Sequence, residues 1–156
     1  MTNTKQKAHQ GHDLKRIGRS VTIVTGAPGS GKTTFVRNVI TSDDLVVDLD
    51  RICEAITGQN THQDHGNILS IAIGIRDYLY QAIEECAGTW KNAYIITSSP
   101  DRKVIDGLKK RFHATEYRVL ASRDQCIDRI RNDVSRSGRE DVFVNLANQW
   151  YDETER

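Results

Sequence analysis

The sequence predicts an α/β fold, a three-layer α/β/α sandwich around a parallel sheet of four or five strands. Three observations carry this reading. β-Branched or continuously apolar runs recur along the chain, and each is followed by a stretch of helical periodicity. Runs such as Leu45-Val46-Val47 are too uniformly apolar for a strand with one wet face. The 156 residues fit one ordinary domain with a core of its own.

Composition narrows the class. Lys and Arg number 22 against 21 Asp and Glu, a net charge of +1, which argues against a strongly electrostatic scaffold for duplex DNA or acidic membranes. No apolar run approaches the roughly 20 residues of a membrane span, and no apolar signal segment follows Met1. Cys53, Cys86 and Cys126 form an odd set without CxxC spacing, so neither a disulfide framework nor a zinc site is expected. A cytoplasmic protein without membrane contact is the expectation.

Residues 1–19 are polar and read as a flexible basic tail, with a short helix over 13–17. Lys5, Lys7, Lys15, Arg16 and Arg19 face the single acid Asp13 there, which suits either a solvated leader or an arm that contacts DNA or a partner. The folded domain is expected over 20–156. Val21-Thr22-Ile23-Val24-Thr25 is a β-branched strand stopped by Gly26. A glycine-rich stretch leads into a helix over 32–40, with Phe35, Val36, Val39 and Ile40 on one face. A second strand is read over 45–49 and a short helix over 51–57, followed by a polar loop from Gly58 to Gly66.

A long helix over 67–86 carries the stripe Ile68, Ile71, Ala72, Ile75, Leu79, Ala82, Ile83 and Cys86. Residues 93–97 form the third strand, 101–112 a basic amphipathic helix and 116–120 the fourth strand. Ser122 with Gln125 three residues later has the capping-box pattern, opening a helix that runs to about Val134. A last helix over 141–154 bears Val142, Leu146 and Trp150.

The chemistry begins at the first strand-to-helix turn. Gly26-Ala27-Pro28-Gly29-Ser30-Gly31-Lys32-Thr33 matches G-x-x-x-x-G-K-[ST] in full, between a strand and a helix. Glycines let the backbone curl with its N–H groups inward, a concave nest for a polyphosphate, and the helix adds the positive end of its dipole. In that arrangement Lys32 reaches the β- and γ-phosphates of ATP, Thr33 offers its hydroxyl to Mg²⁺, and Thr34 adds an α-phosphate contact. The fold class this specifies is that of the P-loop NTPases.

A second group of residues follows the second strand. Asp48 and Asp50 are an i, i+2 pair, on one side of the chain if extended geometry continues. One carboxylate can then help hold Mg²⁺ while the other takes a proton from an attacking hydroxyl, with Asp48 assigned to the metal and Asp50 to the base. The same residues are also what a helix N-cap requires. The third strand ends in Thr97-Ser98-Ser99-Pro100 with no carboxylate. Ser98, Ser99 and Arg102 suit acceptor binding, or an ordinary turn and cap. His62 and His65 read as a solvated loop near the acceptor site in preference to an H-x-x-H metal pair, and Tyr78, Tyr80, Trp90 and Trp150 as packing residues in preference to base-stacking platforms.

The glycine-rich loop, followed at short range by Val47-Asp48-Leu49-Asp50-Arg51-Ile52 and Thr57-Gly58, resembles the small P-loop kinases of the polynucleotide, nucleoside and shikimate kinase group. The resemblance implies that Asp50 contacts or deprotonates an acceptor hydroxyl. Cys126 to Asp133, then Arg136 and Arg139, is similar to the helix and arginine-bearing lid of those enzymes, with the lid near 131–140. It implies that Arg136, Arg129 and Arg139 close over ATP and stabilise the transferred phosphoryl group, a role that suits the fixed charge and planar fork of arginine. The same charges can equally pair along a solvated helix, Arg129 with Asp133 for example.

Three features depart from that family: no fifth strand follows the lid, Thr97-Ser98-Ser99 replaces the glycine-rich shikimate motif, and Cys53 stands where a polynucleotide kinase carries arginine. The expected activity is transfer of the γ-phosphoryl group of ATP, with Mg²⁺, to a small-molecule or nucleic-acid 5′-hydroxyl. A P-loop ATPase, or a nucleotide-binding accessory protein acting with DNA or an assembly, is the alternative.

Overall fold

Strand and helix alternate as the periodicity predicts across the residues described by the computed structural model, 16–60 and 62–156. The elements are β1 (Ser20–Thr25), α1 (Lys32–Val39), β2 (Leu45–Val47), α2 (Leu49–Thr57), α3 (Leu69–Glu84) and β3 (Asn92–Thr97). After them come α4 (Arg102–Phe112), β4 (Thr115–Arg118), α5 (Arg123–Asn132), a 3₁₀ turn (Val134–Arg136) and α6 (Glu140–Thr154). The four strands are all parallel, in the order β2-β3-β1-β4. Register aligns Val47, Ile95 and Ile23 in one row across the sheet.

Right-handed crossovers place α1 on one face of the sheet and α3 and α4 on the other. On that second face Val21, Ile23, Val47, Ala93 and Ile95 meet Tyr80 and Ile83 of α3 and Phe112 of α4, all buried. A separate apolar unit forms where α5 packs on α6. There Ile130, Val144 and Ala147 make one cluster, and Ala27, Cys126, Trp150 and Tyr151 another directly under the glycine-rich loop. The chain leaves the neighbouring strands β1 and β3 in opposite directions, toward β2 and β4. This opens a crevice at their carboxyl ends.

Local signals mark the starts of two helices. The capping box forms as expected: Ser122 Oγ accepts from Gln125 N at 3.1 Å, and Gln125 Oε1 accepts from Ser122 N at 3.0 Å. Asp101 caps α4, accepting from Lys103 N at 2.8 Å.

Several expectations are corrected. β2 stops at Val47 rather than residue 49, because Asp48 already caps α2. The stripe expected on α3 is shifted: Ile71 is 59% exposed, while Tyr80 enters the core alongside Ala72 and Ile83. On α6 the buried face is Val144, Ala147, Trp150 and Tyr151, leaving Val142 and Leu146 exposed. Val36 alone of the expected α1 face is fully buried, and Phe35 instead stacks on Tyr117 with ring centroids 4.1 Å apart. Tyr78 is an exposed residue rather than a packing one. β4 ends at Arg118 and Leu120 projects into solvent. After α5 the described chain returns as the helix α6, with no fifth strand.

The helix expected over 13–17 and the basic positions Lys5, Lys7 and Lys15 fall largely or wholly outside the described residues. Arg16 and Arg19 are described, and both are tied to the domain. Arg16 donates to Phe112 O at 2.9 Å, and Arg19 to Cys86 O at 3.2 Å and Gly88 O at 2.8 Å while lying over Trp90. The three cysteines are free and buried. Among the described residues no helix is long and apolar enough to cross a membrane.

Ile130 has no exposed surface and joins α5 to α6 beneath the loop. Its replacement by alanine removes buried methyl groups and leaves a void there. Ile130→Ala is expected to lower the unfolding free energy by about 3 kcal/mol, measured as a shift of the urea midpoint at unchanged slope.

Candidate functional site

A cleft of about 780 Å³ opens at the carboxyl ends of the strands. One wall is the glycine-rich loop with the start of α1; the other holds Asp48 and Asp50, Thr97 and Ser98 at the end of β3, and Arg136.

The loop adopts its shape because three of its residues are glycine. Gly26, Gly29 and Gly31 have φ of 152°, 78° and 99°, backbone that side-chain-bearing residues rarely adopt. Space restricts Gly29 as well, since a Cβ there would lie 2.7 Å from the Cys126 carbonyl oxygen on α5. The loop therefore rests directly on α5. Ser30 Oγ is buried at its base and has no hydrogen-bond partner among the described residues.

Lys32 is buried under the loop, its Nζ donating to Gly26 O at 2.9 Å and Ala27 O at 2.8 Å. Burial lowers its pKa to about 8, against the opposing pull of nearby carboxylates that include Asp48 and Asp50. The ammonium is thus desolvated and solvated only by main-chain oxygen, a state in which an approaching anion gains most.

The two aspartates part company. Asp48 is extended and its Oδ1 accepts from Asp50 N at 3.1 Å, so the helix-cap reading holds for it. Asp50 belongs to the first turn of α2, so the expected strand-like i, i+2 pair does not form. Both still act on the cleft. Burial raises the Asp48 carboxyl above its ordinary value. Asp50 stands at the solvent-facing opening, yet the surrounding walls and then the Asp48 charge push it up to about 6, against the pull of Lys32 and Arg136.

The arginines divide as well. Arg129 does not pair with Asp133; it donates to Ser30 O at 3.1 Å and more weakly to Gly29 O, bracing the loop from α5. Arg136 lines the cleft and pairs through Nη1 with Asp133. Its Nε is buried without a partner among the described residues, and burial lowers its pKa. Arg139 donates to the His62 carbonyl at 2.6 Å and is not part of the cleft wall. Of the other candidates, Thr97 and Ser98 reach the cleft. Ser99 supports the turn before α4, and Arg102 is held by Asp106 and Glu116.

His62, expected on a solvated loop, is half-buried and also lines the cleft, as do Arg76 and Phe143, which the periodicity missed. No local pattern points to them. The His62 side-chain partner is Ser135, 73 positions away, and only the closed fold makes that pairing visible.

Thr33 and Asp48 are hard oxygen donors on facing walls of the cleft, the kind of set that Mg²⁺ takes when substrate phosphates supply most of its shell. Among the described residues no cluster of three or more His, Cys, Asp or Glu side chains is arranged to hold a metal without such help. These donors, the curled loop and the buried Lys32 fit a magnesium–polyphosphate ligand.

No protein-family model matches the chain, and no curated protein matches it. Among solved structures, a protein from Chloroflexus aurantiacus named "putative kinase" is similar over 83% of this chain and 75% of its own, with 18% identity and a TM-score of 0.57. At that identity the likeness establishes a shared fold.

A raised carboxyl pKa means the folded state favours neutral Asp50. That contribution to stability is complete below its unfolded value of 3.8 and is lost as pH rises through about 6. Asp50→Asn is accordingly expected to raise the thermal midpoint at pH 8, with the gain fading toward pH 4, when melting curves of both proteins are compared across that range.

Proposed function

We propose that the protein is an ATP-dependent kinase of the small P-loop kind, transferring the γ-phosphoryl group to a hydroxyl on a nucleoside, nucleotide or polynucleotide 5′ end. The observation that carries this reading is the meeting, in one cleft, of a desolvated Lys32, an Asp50 carboxyl at about 6 and an Arg136 guanidinium with donors to spare. These come from three separated segments, and phosphoryl transfer needs all three kinds of group.

In this reading the loop amides from Pro28 to Thr33 cradle the polyphosphate, with Lys32 turning from the Gly26 and Ala27 carbonyls to the β- and γ-oxygens. Thr34 adds an α-phosphate contact. Thr33 and Asp48 would hold Mg²⁺, which would neutralise charge on the phosphate oxygens. Asp50 accepts the proton of the acceptor hydroxyl as its oxygen bonds to the γ-phosphorus; the bond from that phosphorus to the bridging oxygen breaks, and ADP leaves. A carboxyl near 6 is deprotonated at neutral pH while remaining a competent proton acceptor. Arg136 stabilises charge on the phosphoryl group in flight, and Arg129 keeps the loop in place. The likeness to a kinase-named structure supports the same reading, and the cleft end of β3, Thr97 and Ser98, carries no carboxylate, which favours a hydroxyl acceptor over water.

With γ-labelled ATP and a panel of nucleosides, nucleoside monophosphates and 5′-hydroxyl oligonucleotides, labelled product is expected from the wild type. Asp50→Asn should reduce transfer by about 10²–10⁴-fold. Free phosphate released without acceptor, and undiminished in Asp50→Asn, would point to an ATPase instead. Nucleotide binding should also restore charge to Lys32. At pH 8 it is expected to take up protons, seen as a binding enthalpy that varies with the ionisation enthalpy of the buffer.

A further inference from the structure

Outside the phosphate-facing groups, one chain of short polar contacts joins two segments that are distant in sequence. The Ser135 hydroxyl donates to Asp133 Oδ1 at 2.6 Å, and the Ser135 amide donates to the same oxygen at 3.0 Å. Because that hydroxyl proton is committed, Ser135 Oγ has only acceptor capacity left for His62 Nδ1, which lies 2.6 Å away. His62 therefore carries its proton on Nδ1. The other carboxylate oxygen of Asp133 receives Arg136 Nη1. The sequence of contacts is thus His62 to Ser135 to Asp133 to Arg136.

Two further contacts brace it. Arg139 holds the His62 carbonyl, and the His62 ring meets Phe143 edge-on at 5.4 Å. The Arg136 and Arg139 guanidinium groups lie over that same Phe143 ring, 5.0 and 5.4 Å from its centroid. The arrangement determines where Arg136 points. Asp133 pulls on Nη1 alone, leaving Nε without a partner among the described residues and the group lining the cleft that Asp50 shares.

We propose that His62 is a positioning residue: through Ser135 and Asp133 it clasps the segment 62–66 to the turn at 133–136 and so holds Arg136 in the cleft that Asp50 also lines. The effect on rate rests on the kinase reading; the clasp itself does not. A neutral imidazole suits the role. Burial, then the charges of Arg136 and Arg139, lower its pKa, while Asp133 and Glu54 pull the other way. Protonation would add a third cation beside two arginines. The clasp is therefore complete above the ordinary histidine value of 6.5 and weakens as pH falls through the lowered one.

Amide hydrogen exchange on the ligand-free chain tests the clasp. His62→Ala is expected to speed exchange about 10-fold in 134–137 as well as in 62–66, and Ser135→Ala to do the same. His62→Asn keeps an N–H donor in the position of Nδ1 and should restore slow exchange in 134–137. Faster exchange confined to 62–66, or no rescue by asparagine, would overturn the proposal. In the transfer assay His62→Ala should lower kcat about 10-fold with KM for ATP unchanged, and His62→Asn should recover most of it. An unchanged kcat in His62→Ala would equally overturn it. Absence of transfer by the wild type would instead count against the kinase reading, and the exchange result would still decide the clasp.

Discussion

A lysine buried on main-chain oxygen, rather than against a carboxylate, sets the terms for the rest of the cleft. Holding an ammonium under the loop requires the Gly26 and Ala27 carbonyls to turn inward. That turn needs glycine torsions, and the glycines in turn let the loop settle on α5. α5 bears the loop with the help of α6, whose Val144 and Ala147 pack on Ile130 and whose Trp150 and Tyr151 join Cys126 and Ala27. The helical pair that ends the described chain is thus support for the loop rather than an addition to the sheet.

The same economy runs through the charges. Lys32, Asp50 and Arg136 each sit away from their ordinary titration range because each is partly stripped of water; Asp50 eases both cations and is eased by them, whereas Arg136 lowers Lys32 further. None is neutralised by a close partner of its own except Arg136, which gives one nitrogen to Asp133. A site built this way is less stable than a fully paired one and leaves its charges free for a ligand.

The sequence made the local features legible and left the distant ones hidden. β1, the loop and the place of α1, though not its buried face, could be read directly, as could the Ser122 capping box, because each is decided by neighbours within four positions. The end of β2 was misread for an equally local reason. Asp48-Leu49-Asp50 alternates like a strand and also suits a helix cap, and the bond from Asp50 N to Asp48 Oδ1 decides for the cap. The face of α3 was misplaced because isoleucines occur all round it, and the choice of Tyr80 over Ile71 depends on Phe112 standing opposite. Arg129, Arg139 and His62 show the limit most clearly. Their partners are 77 to 100 positions away for the two arginines and 73 for the histidine, distances over which pattern carries no information.

The two tryptophans occupy opposite ends of the molecule. Trp90 lies near the amino ends of the strands beneath Arg19, whereas Trp150 belongs to the buried cluster that also contains Ala27 of the loop. Its indole N–H is buried without a partner among the described residues, so its emission is sensitive to small shifts in nearby dipoles. The chain consequently carries a built-in optical probe of loop movement, with Trp90 as a reference near the amino ends of the strands.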